Sequence, residues 1–585
     1  MARPFDPILV EVIRNQIAAI TEEMTLTVYR TGRSGMCKVG DFATAVCDRH
    51  GRIVGEGGSP YQMCVFIDTM ENVLAKHGDS LQPGDIIIAN DPYCGISHMP
   101  DITLIAPAFW NGQLAGFLIS YSHHTDIGGR FAGGISSLCQ SSFEEGIRIS
   151  MLKLYDAGKR NDTLIELIVS NVRTPEEWEG DVDAKVASCW KGQEQLAKLV
   201  DKYGLEQFNA TCDYLVESAE RATRKAIQQI PSGEYREELL FEDENEVTDG
   251  PVLLDVVIRI EDDHATIDLS STPPQVNASI NAPLVSTKAM TRSPFKSLVP
   301  SDIITNSGFA QAIDVIVPSG TLLNPRYPAA VGGRASLMMA LSNMVYRAIA
   351  KALPGKLGGV GEGADMLHFN SHTEGKFQSF MDVFFGGWGG RPHVDGIDGA
   401  SPLIMGGGYG SMPAELLERE YPVTIEGFGF VPDTDGAGKY RGSVSVYREW
   451  RFRQSAEVLL RTVGLRGAKG LAGGGQGGDA VNIHWSGEKK TVLPPQAHVH
   501  LHVQPGDRIY HKVHGSGGYG VAYERDAKLV VLDVTEGKIS ADRAREVYGV
   551  VIDSAHMIVD EDATRVLREN MRRQAESFER ISDEP

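Results

Sequence analysis

The sequence has 585 residues, with 77 acidic and 56 basic side chains and a formal net charge of −21 at pH 7. An acidic balance of this size argues against a nucleic-acid-binding protein, which needs a basic face. Hydrophobic residues make up 42% of the chain and charged residues 23%, which is typical of globular domains and excludes disorder for most of the sequence.

The N-terminal part of the chain predicts one helix followed by short strands. The helix runs from Asp6 to Tyr29, because its apolar residues have helical spacing and Pro7 follows a capping aspartate. Asn111-Gly112, between the last two strands, is a strong hairpin signal. The predicted strands are residues 43–47, 86–89, 102–106 and 114–120.

The rest of the chain becomes richer in strands. Two charged helices, divided at Gly204, are predicted within residues 182–229, and a long helix over 335–353 interrupts the later strands. A polar helix from about Glu561 closes the chain. The later strands are residues 237–241, 252–260, 265–269, 313–317, 423–431 and 458–463.

We therefore predict a mixed α/β (α+β), multidomain fold. An N-terminal α/β domain, predicted below to bind metal, covers residues 1–230. A mixed α/β domain covers residues 231–420. A strand-rich C-terminal domain with the closing helix covers residues 421–585.

Glycine is abundant, with 64 residues, and is concentrated in short clusters. The sequence contains no GxxxxGK[ST] phosphate loop and no convincing GxGxxG between a strand and a helix. We therefore predict that this chain does not itself bind ATP, and that the clusters provide tight turns and close backbone approach. The clusters are residues 357–363, 386–390, 406–410, 472–478 and 515–520.

Targeting signals and cysteine usage both favour a cytoplasmic protein. No apolar segment approaches the roughly 20 residues needed to cross a bilayer, and charged residues in the first turns argue against a signal peptide. All seven cysteines lie within the first 212 residues, and none forms a CxxC pair. An odd number of cysteines without such pairs indicates free thiols in a reducing compartment.

Histidines and aspartates gather at the two open ends of the predicted hairpin. His98 and Asp101 precede its outgoing strand, and His123, His124 and Asp126 follow its return strand. Because a hairpin brings these ends together, four ligands converge: His98, Asp101, His123 or His124, and Asp126. Imidazole and carboxylate suit Zn²⁺, Mn²⁺ or Fe²⁺. The alternative is that paired histidine and aspartate side chains satisfy a buried polar turn.

A second histidine cluster is less indicative of a metal. Strand alternation puts His498, His500 and His502 on one face, but no carboxylate lies within that run. We interpret it as a half-exposed strand face. Asp41 and Asp48 bracket a predicted strand and, taken alone, are typical turn or cap residues.

Several longer motifs occur in a fixed order between about residues 6 and 525. They include DPILVEVIRNQIAAITEEM (6–24), GDFATAVCD (40–48), NDPYCGISHMPDITLIAPAF (90–109), SHHTDIGG (122–129), FEEGIRI (143–149), INAPLVST (280–287), GTLLNPRYPAAVGG (320–333) and PGDRIYHKVHGSGGYG (505–520). Together they resemble the hydantoinase B/oxoprolinase family, which also includes subunits of acetone and acetophenone carboxylases.

The resemblance implies a division of labour between two kinds of subunit. A separate A-type subunit with an actin-like ATP-binding fold phosphorylates the substrate, and the B-type chain carries a divalent metal and completes the reaction. The family's metal ligands correspond to Asp41, His98, Asp101 and His123. Asp41 is the ligand that the hairpin argument does not find. His124 and Asp126 then become candidates for orienting the ligands and for general-base catalysis.

The implied cofactor is one divalent ion, with zinc favoured and manganese or iron as alternatives. ATP is used by the partner, and the implied assembly is a heterotetramer of two A and two B chains. The leading hypothesis is ATP-dependent hydrolysis of a cyclic amide, which is a hydantoin, oxoproline or another lactam. The metal would lower the pKa of a bound water towards about 7.

Two other functions remain open at this point. One is a subunit of an ATP-dependent ketone carboxylase of the acetone or acetophenone type, and the other is a non-catalytic scaffold for the ATP-binding partner. Arg148, in the EGIRI motif, is a candidate for holding a phosphate oxygen. We favour a structural ion pair between Arg148 and a glutamate.

Overall fold

The structure, a computed structural model, describes residues 6–242, 245–361, 363–373, 375–402, 409–553 and 556–582. The chain divides into two compact units. The first unit contains residues 1–352, 368–382 and 404–412, and the second contains residues 353–367, 383–403 and 413–585. The predicted mixed α/β, multidomain fold class is confirmed.

The first unit contains the predicted N-terminal helix, the hairpin and the two helices divided at Gly204. Its helices are α1 (Pro7–Thr31), α2 (Gly35–Val39), α3 (Pro60–His77), α4 (Asp162–Val169), α5 (Pro175–Tyr203), α6 (Leu205–Ile227), α7 (Asn245–Thr248), α8 (Leu284–Arg292), α9 (Ser307–Gln311) and α10 (Ala335–Ala352). Its strands are β1 (Phe42–Asp48), β2 (Ile53–Gly57), β3 (Ile86–Ala89), β4 (Asp101–Trp110), β5 (Gln113–His123), β6 (Leu152–Asp156), β7 (Lys159–Arg160), β8 (Gly233–Phe241), β9 (Val252–Glu261), β10 (His264–Asp268) and β11 (Ile313–Ile316).

A seven-stranded antiparallel sheet forms the centre of the first unit, in the order β2-β1-β5-β4-β3-β6-β7. Helices cover both of its faces. Leu104 and Leu118 pack with Ile17 of α1 and with residues of α5, while Ile105 on the opposite face packs with Phe66 of α3. Alternate residues of β4 therefore pack into different hydrophobic cores. Burial of each side chain of this size contributes about 1.5–3 kcal/mol to the free energy of unfolding.

The β4–β5 hairpin at the centre of this sheet turns at Asn111 and Gly112, as predicted. Their φ angles are +48° and +78°, which is the left-handed backbone of the turn type that suits a two-residue hairpin loop. At the start of the chain, Asp6 caps α1 by accepting hydrogen bonds from the backbone of Ile8 and Leu9. Both predicted local signals are confirmed.

A second sheet in the first unit has the order β11-β10-β9-β8, with β10 and β11 parallel. Helix α10 packs on β8 and β9, and α9 packs on α6. These contacts hold the segment after residue 231 to the N-terminal helices. The expected boundary at residue 230 therefore lies inside the first unit, and the expected boundary at residue 420 lies inside the second.

The hairpin of β12 (Ala364–Thr373) and β13 (Lys376–Phe385) contributes residues to both units. The remaining elements belong to the second unit. They are α11 (Ala414–Glu420), β14 (Val423–Val431), β15 (Ser445–Phe452), β16 (Ala456–Arg461), β17 (Val481–Ser486), β18 (Lys489–Val492), β19 (His498–Val503), β20 (Arg508–Lys512), α12 (Ala527–Thr535), α13 (Ala541–Glu546), β21 (Ile552–Asp553), β22 (Ile558–Val559) and α14 (Glu561–Ser582).

Strands β14-β15-β20-β17-β18 form a five-stranded sheet, and β13-β12-β16-β19 form a four-stranded one. The glycine clusters lie beside these strands and pack backbone against backbone. The amide of Gly390 donates to Gly517 O at 2.9 Å, and that of Gly518 donates to Gly475 O at 2.9 Å. The predicted close backbone approach is confirmed for the clusters that contain these glycines, whereas residues 362 and 406–408 lie outside the described residues.

Within the part of the chain that the structure describes, no helix combines the length and the apolar composition of a membrane-spanning helix. All seven cysteines are free thiols, and six of them are buried. Burial raises the pKa of the Cys64 thiol to about 12, so this side chain packs as a small apolar group.

Candidate metal centre

Three of the predicted ligands meet at the open end of the central hairpin. Asp101 begins β4 and lies directly opposite His123, the last residue of β5. His98 lies in the turn before β4, and its Nδ1 is 2.6 Å from Asp101 Oδ2. One ligand atom from each of the three residues lies within 4.8 Å of the other two, and all three residues are buried.

Backbone hydrogen bonds hold the segments that carry these side chains. The Asp101 amide donates to His98 O at 3.0 Å and closes the turn before β4. The His123 amide donates to Asp41 O at 3.0 Å, and the His124 amide donates to Pro100 O at 2.8 Å. The turn, the end of β5 and the residue before β1 are thereby joined. Because side chains alternate along a strand, a slip of one residue would turn His123 to the other face.

The electrostatics of this group fit a divalent cation. Burial alone would raise the pKa of the Asp101 carboxyl, but His98, His123 and Arg334 lower that pKa to about 2. Asp101 is therefore ionised at neutral pH in spite of its burial. Two imidazoles and one ionised carboxylate form a donor set typical of zinc, and also acceptable to manganese or iron.

Asp41 lies beside this group of three without belonging to it. The hydroxyl of Tyr121 donates to Asp41 Oδ1 at 3.2 Å and to Asp101 Oδ1 at 2.8 Å. Tyr409 also donates to Asp41 Oδ1, at 3.4 Å. One tyrosine hydroxyl thus bridges the carboxylate identified from the hairpin and the carboxylate implied by the family resemblance. Sequence reasoning did not single out Tyr121.

His124 Nε2 and the carboxylate of Asp126 contact other residues, and neither residue belongs to the group of three. His124 Nε2 lies 2.7 Å from the buried Lys185 Nζ; burial, together with Lys185, lowers the pKa of His124 well below its usual range. Asp126 accepts hydrogen bonds from the side chain of Arg173 at 2.9 Å and from its amide at 2.6 Å. Both residues hold the chain just after His123.

Arg148 does form an ion pair, as predicted, but its partner is an aspartate. Its guanidinium donates to Asp91 Oδ2 at 2.8 Å and lies 4.6 Å from the centre of the Tyr327 ring. The expected glutamate partner is therefore wrong. The reason lies in the packing of the EGIRI segment beside the Asn90-Asp91 turn, where the Ile149 amide donates to Asn90 Oδ1 at 2.6 Å.

The three histidines of β19 have different environments. His498 is buried, whereas His500 and His502 are exposed. Within the described residues they form no group with metal-binding geometry, because the one such group is that of His98, Asp101 and His123.

A small cavity borders the candidate metal centre. Its lining residues come from α3, from the segment before β4, and from β4 and β5: Tyr61, Gln62, Val65, Phe66, Ile96, Ser97, Asp101, Thr103 and Tyr121. The cavity gives Asp101 a neighbouring space in which a small ligand can approach. Of its polar lining residues, only Asp101 was predicted from the sequence, since the others carry no recognisable spacing.

Comparison with known proteins identifies the family. The family model described as hydantoinase B/oxoprolinase matches residues 6–522. Caprolactamase subunit beta of Pseudomonas jessenii is 30% identical over 583 residues, which cover 96% of this chain and 99% of that protein.

Solved structures give the same result. The crystal structure of ATP-dependent caprolactamase from Pseudomonas jessenii matches with a TM-score of 0.88 and 28% identity, covering 97% of this chain and 100% of that one. Nucleotide-free acetone carboxylase matches with a TM-score of 0.84 and 18% identity, covering 99% of this chain and 84% of that one, which shows a shared fold. This chain therefore belongs to the hydantoinase B/oxoprolinase family, as its sequence motifs indicated.

Proposed function

We propose that this chain is the metal-containing, B-type subunit of an ATP-dependent cyclic-amide hydrolase. The reaction class is supported by family membership over residues 6–522 and by similarity to a caprolactamase subunit. The observation that carries the proposal is the buried group of His98, Asp101 and His123 beside a small cavity.

A separate A-type subunit supplies ATP-dependent activation in this proposal, and the two kinds of chain form a heterotetramer of two A and two B subunits. The name of the caprolactamase relative, a beta subunit, supports a separate partner. The absence of a phosphate loop from this sequence also fits ATP use by the partner.

The proposed reaction consumes two water molecules after the lactam oxygen has been phosphorylated. The first water adds to the carbonyl carbon, and the C–N bond breaks as nitrogen keeps the electron pair and takes a proton. The acyl phosphate that results is attacked by the second water, and phosphate leaves with the electron pair of the C–O bond. The products are inorganic phosphate and the ring-opened acid, which is an amino acid for a lactam and an N-carbamoyl amino acid for a hydantoin.

The residues of this chain divide into ligands and positioning groups. A divalent ion bound by His98, Asp101 and His123, with Asp41 as the fourth ligand, would supply Lewis acidity and activate water near neutral pH. We assign zinc first, with manganese or iron as alternatives. Tyr121 would hold the two carboxylates in place through its shared hydroxyl.

We assign positioning roles to the two residues that were expected to act as general bases. The Nε2 atom of His124 faces Lys185, and the carboxylate of Asp126 is bound by Arg173. Proton transfer by either residue would first require these contacts to break. Their role in the proposal is to fix the end of β5 and thereby His123.

The test is to purify the chain with its A-type partner, measure its metal content, and screen hydantoins, oxoproline and other lactams with ATP. We expect ring opening coupled to phosphate release, and we expect His123→Ala to lose both metal and activity. His502→Ala, which changes an exposed histidine of β19, is the matched control and should retain both. Full activity of His123→Ala in an intact complex would instead make this chain a scaffold.

A ketone carboxylase is the second candidate, because the fold is shared with acetone carboxylase. The two functions differ in their use of carbon dioxide. Incorporation of labelled bicarbonate into the product would replace the hydrolase with a carboxylase.

A further inference from the structure

Arg334 is a buried cation close to the candidate metal centre. Only 7% of the residue is exposed, and it directly precedes α10. Its Nε donates to Ser286 Oγ at 3.3 Å, and its Nη2 donates to Ser97 Oγ. Among the described residues, the one carboxylate within 4.0 Å is Asp101, at 3.9 Å from Nη2.

Three hydroxyl groups meet beside this guanidinium. Tyr61 Oη lies 2.5 Å from Ser97 Oγ and 3.4 Å from Ser286 Oγ, and the two serine oxygens are 3.2 Å apart. Tyr61 and Ser97 also line the cavity that Asp101 borders. The side chains of Tyr61 and Ser97 and the candidate metal ligand Asp101 therefore share one small space, and Ser286 contacts both hydroxyl groups from beside it.

The charge of Arg334 is not matched by a carboxylate of its own. Asp101 uses Oδ2 to contact His98 at 2.6 Å and Oδ1 to accept from Tyr121 at 2.8 Å, both closer than its contact with Arg334. Burying a guanidinium without a close counterion destabilises the folded protein.

Other arginines of this chain form close ion pairs with a carboxylate. Arg173 reaches Asp126 at 2.9 Å, and Arg148 reaches Asp91 at 2.8 Å. Arg334 donates to hydroxyl groups instead, and its contacts with the described residues leave several of the five N–H groups of a guanidinium for another acceptor. Guanidinium and hydroxyl donors together are typical of sites for tetrahedral oxyanions, which accept several hydrogen bonds at once.

We propose that Arg334, Ser97, Ser286 and Tyr61 form the binding site for the phosphoryl group of the phosphorylated substrate. The inference rests on the proposed function and deepens it, because it assigns particular residues of this chain to the phosphoryl group of the O-phosphorylated cyclic amide. The phosphoryl group stays on the substrate oxygen during ring opening, so a site beside Asp101 retains both the substrate and the acyl phosphate.

Inorganic phosphate is the probe for this site, because it carries the same tetrahedral oxyanion. Phosphate is titrated into the purified, metal-loaded complex and its affinity is measured by calorimetry. Arg334→Met removes the cation, and Arg334→Lys keeps a charge but loses the planar fork. Arg292→Met is the matched control, since Arg292 is a largely buried arginine of α8 whose nearest carboxylate, Asp68, is 4.0 Å away.

We expect saturable phosphate binding that Arg334→Met weakens at least about tenfold, which corresponds to about 1.4 kcal/mol. Arg334→Lys should weaken it less, and Arg292→Met should leave it unchanged. Metal content and melting temperature are measured for every variant, so that loss of the fold is separated from loss of the site. If Arg334→Met does not fold, Arg334→Lys and Ser286→Ala decide, and unchanged phosphate affinity in both overturns the proposal.

Four other outcomes of the phosphate titration and the activity screen also test the phosphoryl site. Equal phosphate affinity in the wild type and Arg334→Met overturns the phosphoryl site, and so does acetate binding as tightly as phosphate, which indicates a carboxylate site. A complex that opens lactam rings but binds phosphate independently of Arg334 refutes this inference alone. A complex that opens no cyclic amide but binds phosphate through Arg334 refutes the proposed function and leaves the oxyanion site standing.

Discussion

Asp101 and His123 lie directly opposite each other in the β4–β5 ladder. Opposite residues in an antiparallel pair have Cβ atoms about 4.5–5.5 Å apart, so this pairing brings a carboxylate and an imidazole together without any long-range adjustment. The register that pairs them is set by the turn at Asn111 and Gly112 together with a β-bulge, because the pairing shifts by one residue between Phe109 and Ala108. Two local features of the hairpin far from the candidate metal centre therefore determine its geometry.

The first prediction concerns this turn. Gly112 has a φ of +78°, and a Cβ added there would meet no other atom within 4 Å, so Gly112→Ala tests backbone conformation without a steric clash. We expect a loss of about 1 kcal/mol in the free energy of unfolding, measured by urea titration. Gly78→Ala is the control, because Gly78 also has open space but a φ of −45°. Equal effects at the two positions would contradict the argument.

The second prediction concerns Tyr121, whose hydroxyl is shared by Asp41 and Asp101. Tyr121→Phe removes that hydroxyl, so both carboxylates lose their hydrogen bond to residue 121. We expect metal affinity to fall about 10–100-fold, as is usual when a group that orients metal ligands is lost. A chelator competition titration measures it. Tyr235→Phe is the control. It removes a hydroxyl on β8 that donates to Pro231 O, and the metal affinity should not change.

The third prediction concerns Glu145, which is 1% exposed. Burial raises the pKa of its carboxyl to about 7, against hydrogen bonds from Ser279, Gly332 and Val331. The folded protein binds this proton more tightly than the unfolded chain does. The contribution of Glu145 to the free energy of unfolding is therefore most favourable below pH about 4.5 and is lost as the pH rises to about 7. The loss amounts to at most about 3 kcal/mol.

Glu145→Gln cannot titrate, so its stability relative to the wild type should rise between about pH 5 and pH 8. Urea unfolding of both proteins at the two pH values measures the change. Glu144→Gln is the control, because hydrogen bonding to Arg130 lowers the pKa of Glu144; this carboxyl titrates below the tested pH range, so its effect on stability should be nearly the same at the two pH values. A pH-independent difference for Glu145→Gln would show that this carboxyl is ionised in the folded protein.

Much of the first unit could be predicted from the sequence because its signals are local. The cap at Asp6, the hairpin at Asn111-Gly112 and the helix break at Gly204 each depend on neighbouring residues, and each is present. The approach of His98 and Asp101 to His123 followed from the hairpin alone. Asp41 required the family resemblance, because β1 pairs with β5 across a long stretch of chain.

The hydroxyl and guanidinium groups of the cavity could not be predicted in this way. Ser97, Ser286 and Arg334 come from three segments joined by no common sheet or helix, and their contacts depend on how α8 and the start of α10 pack. The spacing of apolar and polar residues in the sequence does not predict such packing. Ser286 lies in the INAPLVST motif and Arg334 directly follows the AAVGG motif, so motif position was the available signal for both.

The last prediction concerns the glycine clusters of the second unit, which the sequence marked by density alone. A Cβ on Gly389 would overlap with Gly359 O, and Gly359 N donates to the neighbouring Gly390 O at 2.6 Å. Gly389→Ala must therefore separate two hydrogen-bonded segments, and we expect a cost of about 3 kcal/mol or more.

Gly475→Ala is the matched control, because it lies in the same set of clusters and the nearest atom to its Cβ is 3.4 Å away, an ordinary contact. The melting temperature should therefore fall steeply for Gly389→Ala and only slightly for Gly475→Ala. Limited proteolysis of the two variants adds a local readout, since cleavage should begin in the second unit. A wild-type melting temperature for Gly389→Ala would mean that the clusters are loosely packed and that their glycine content serves another purpose.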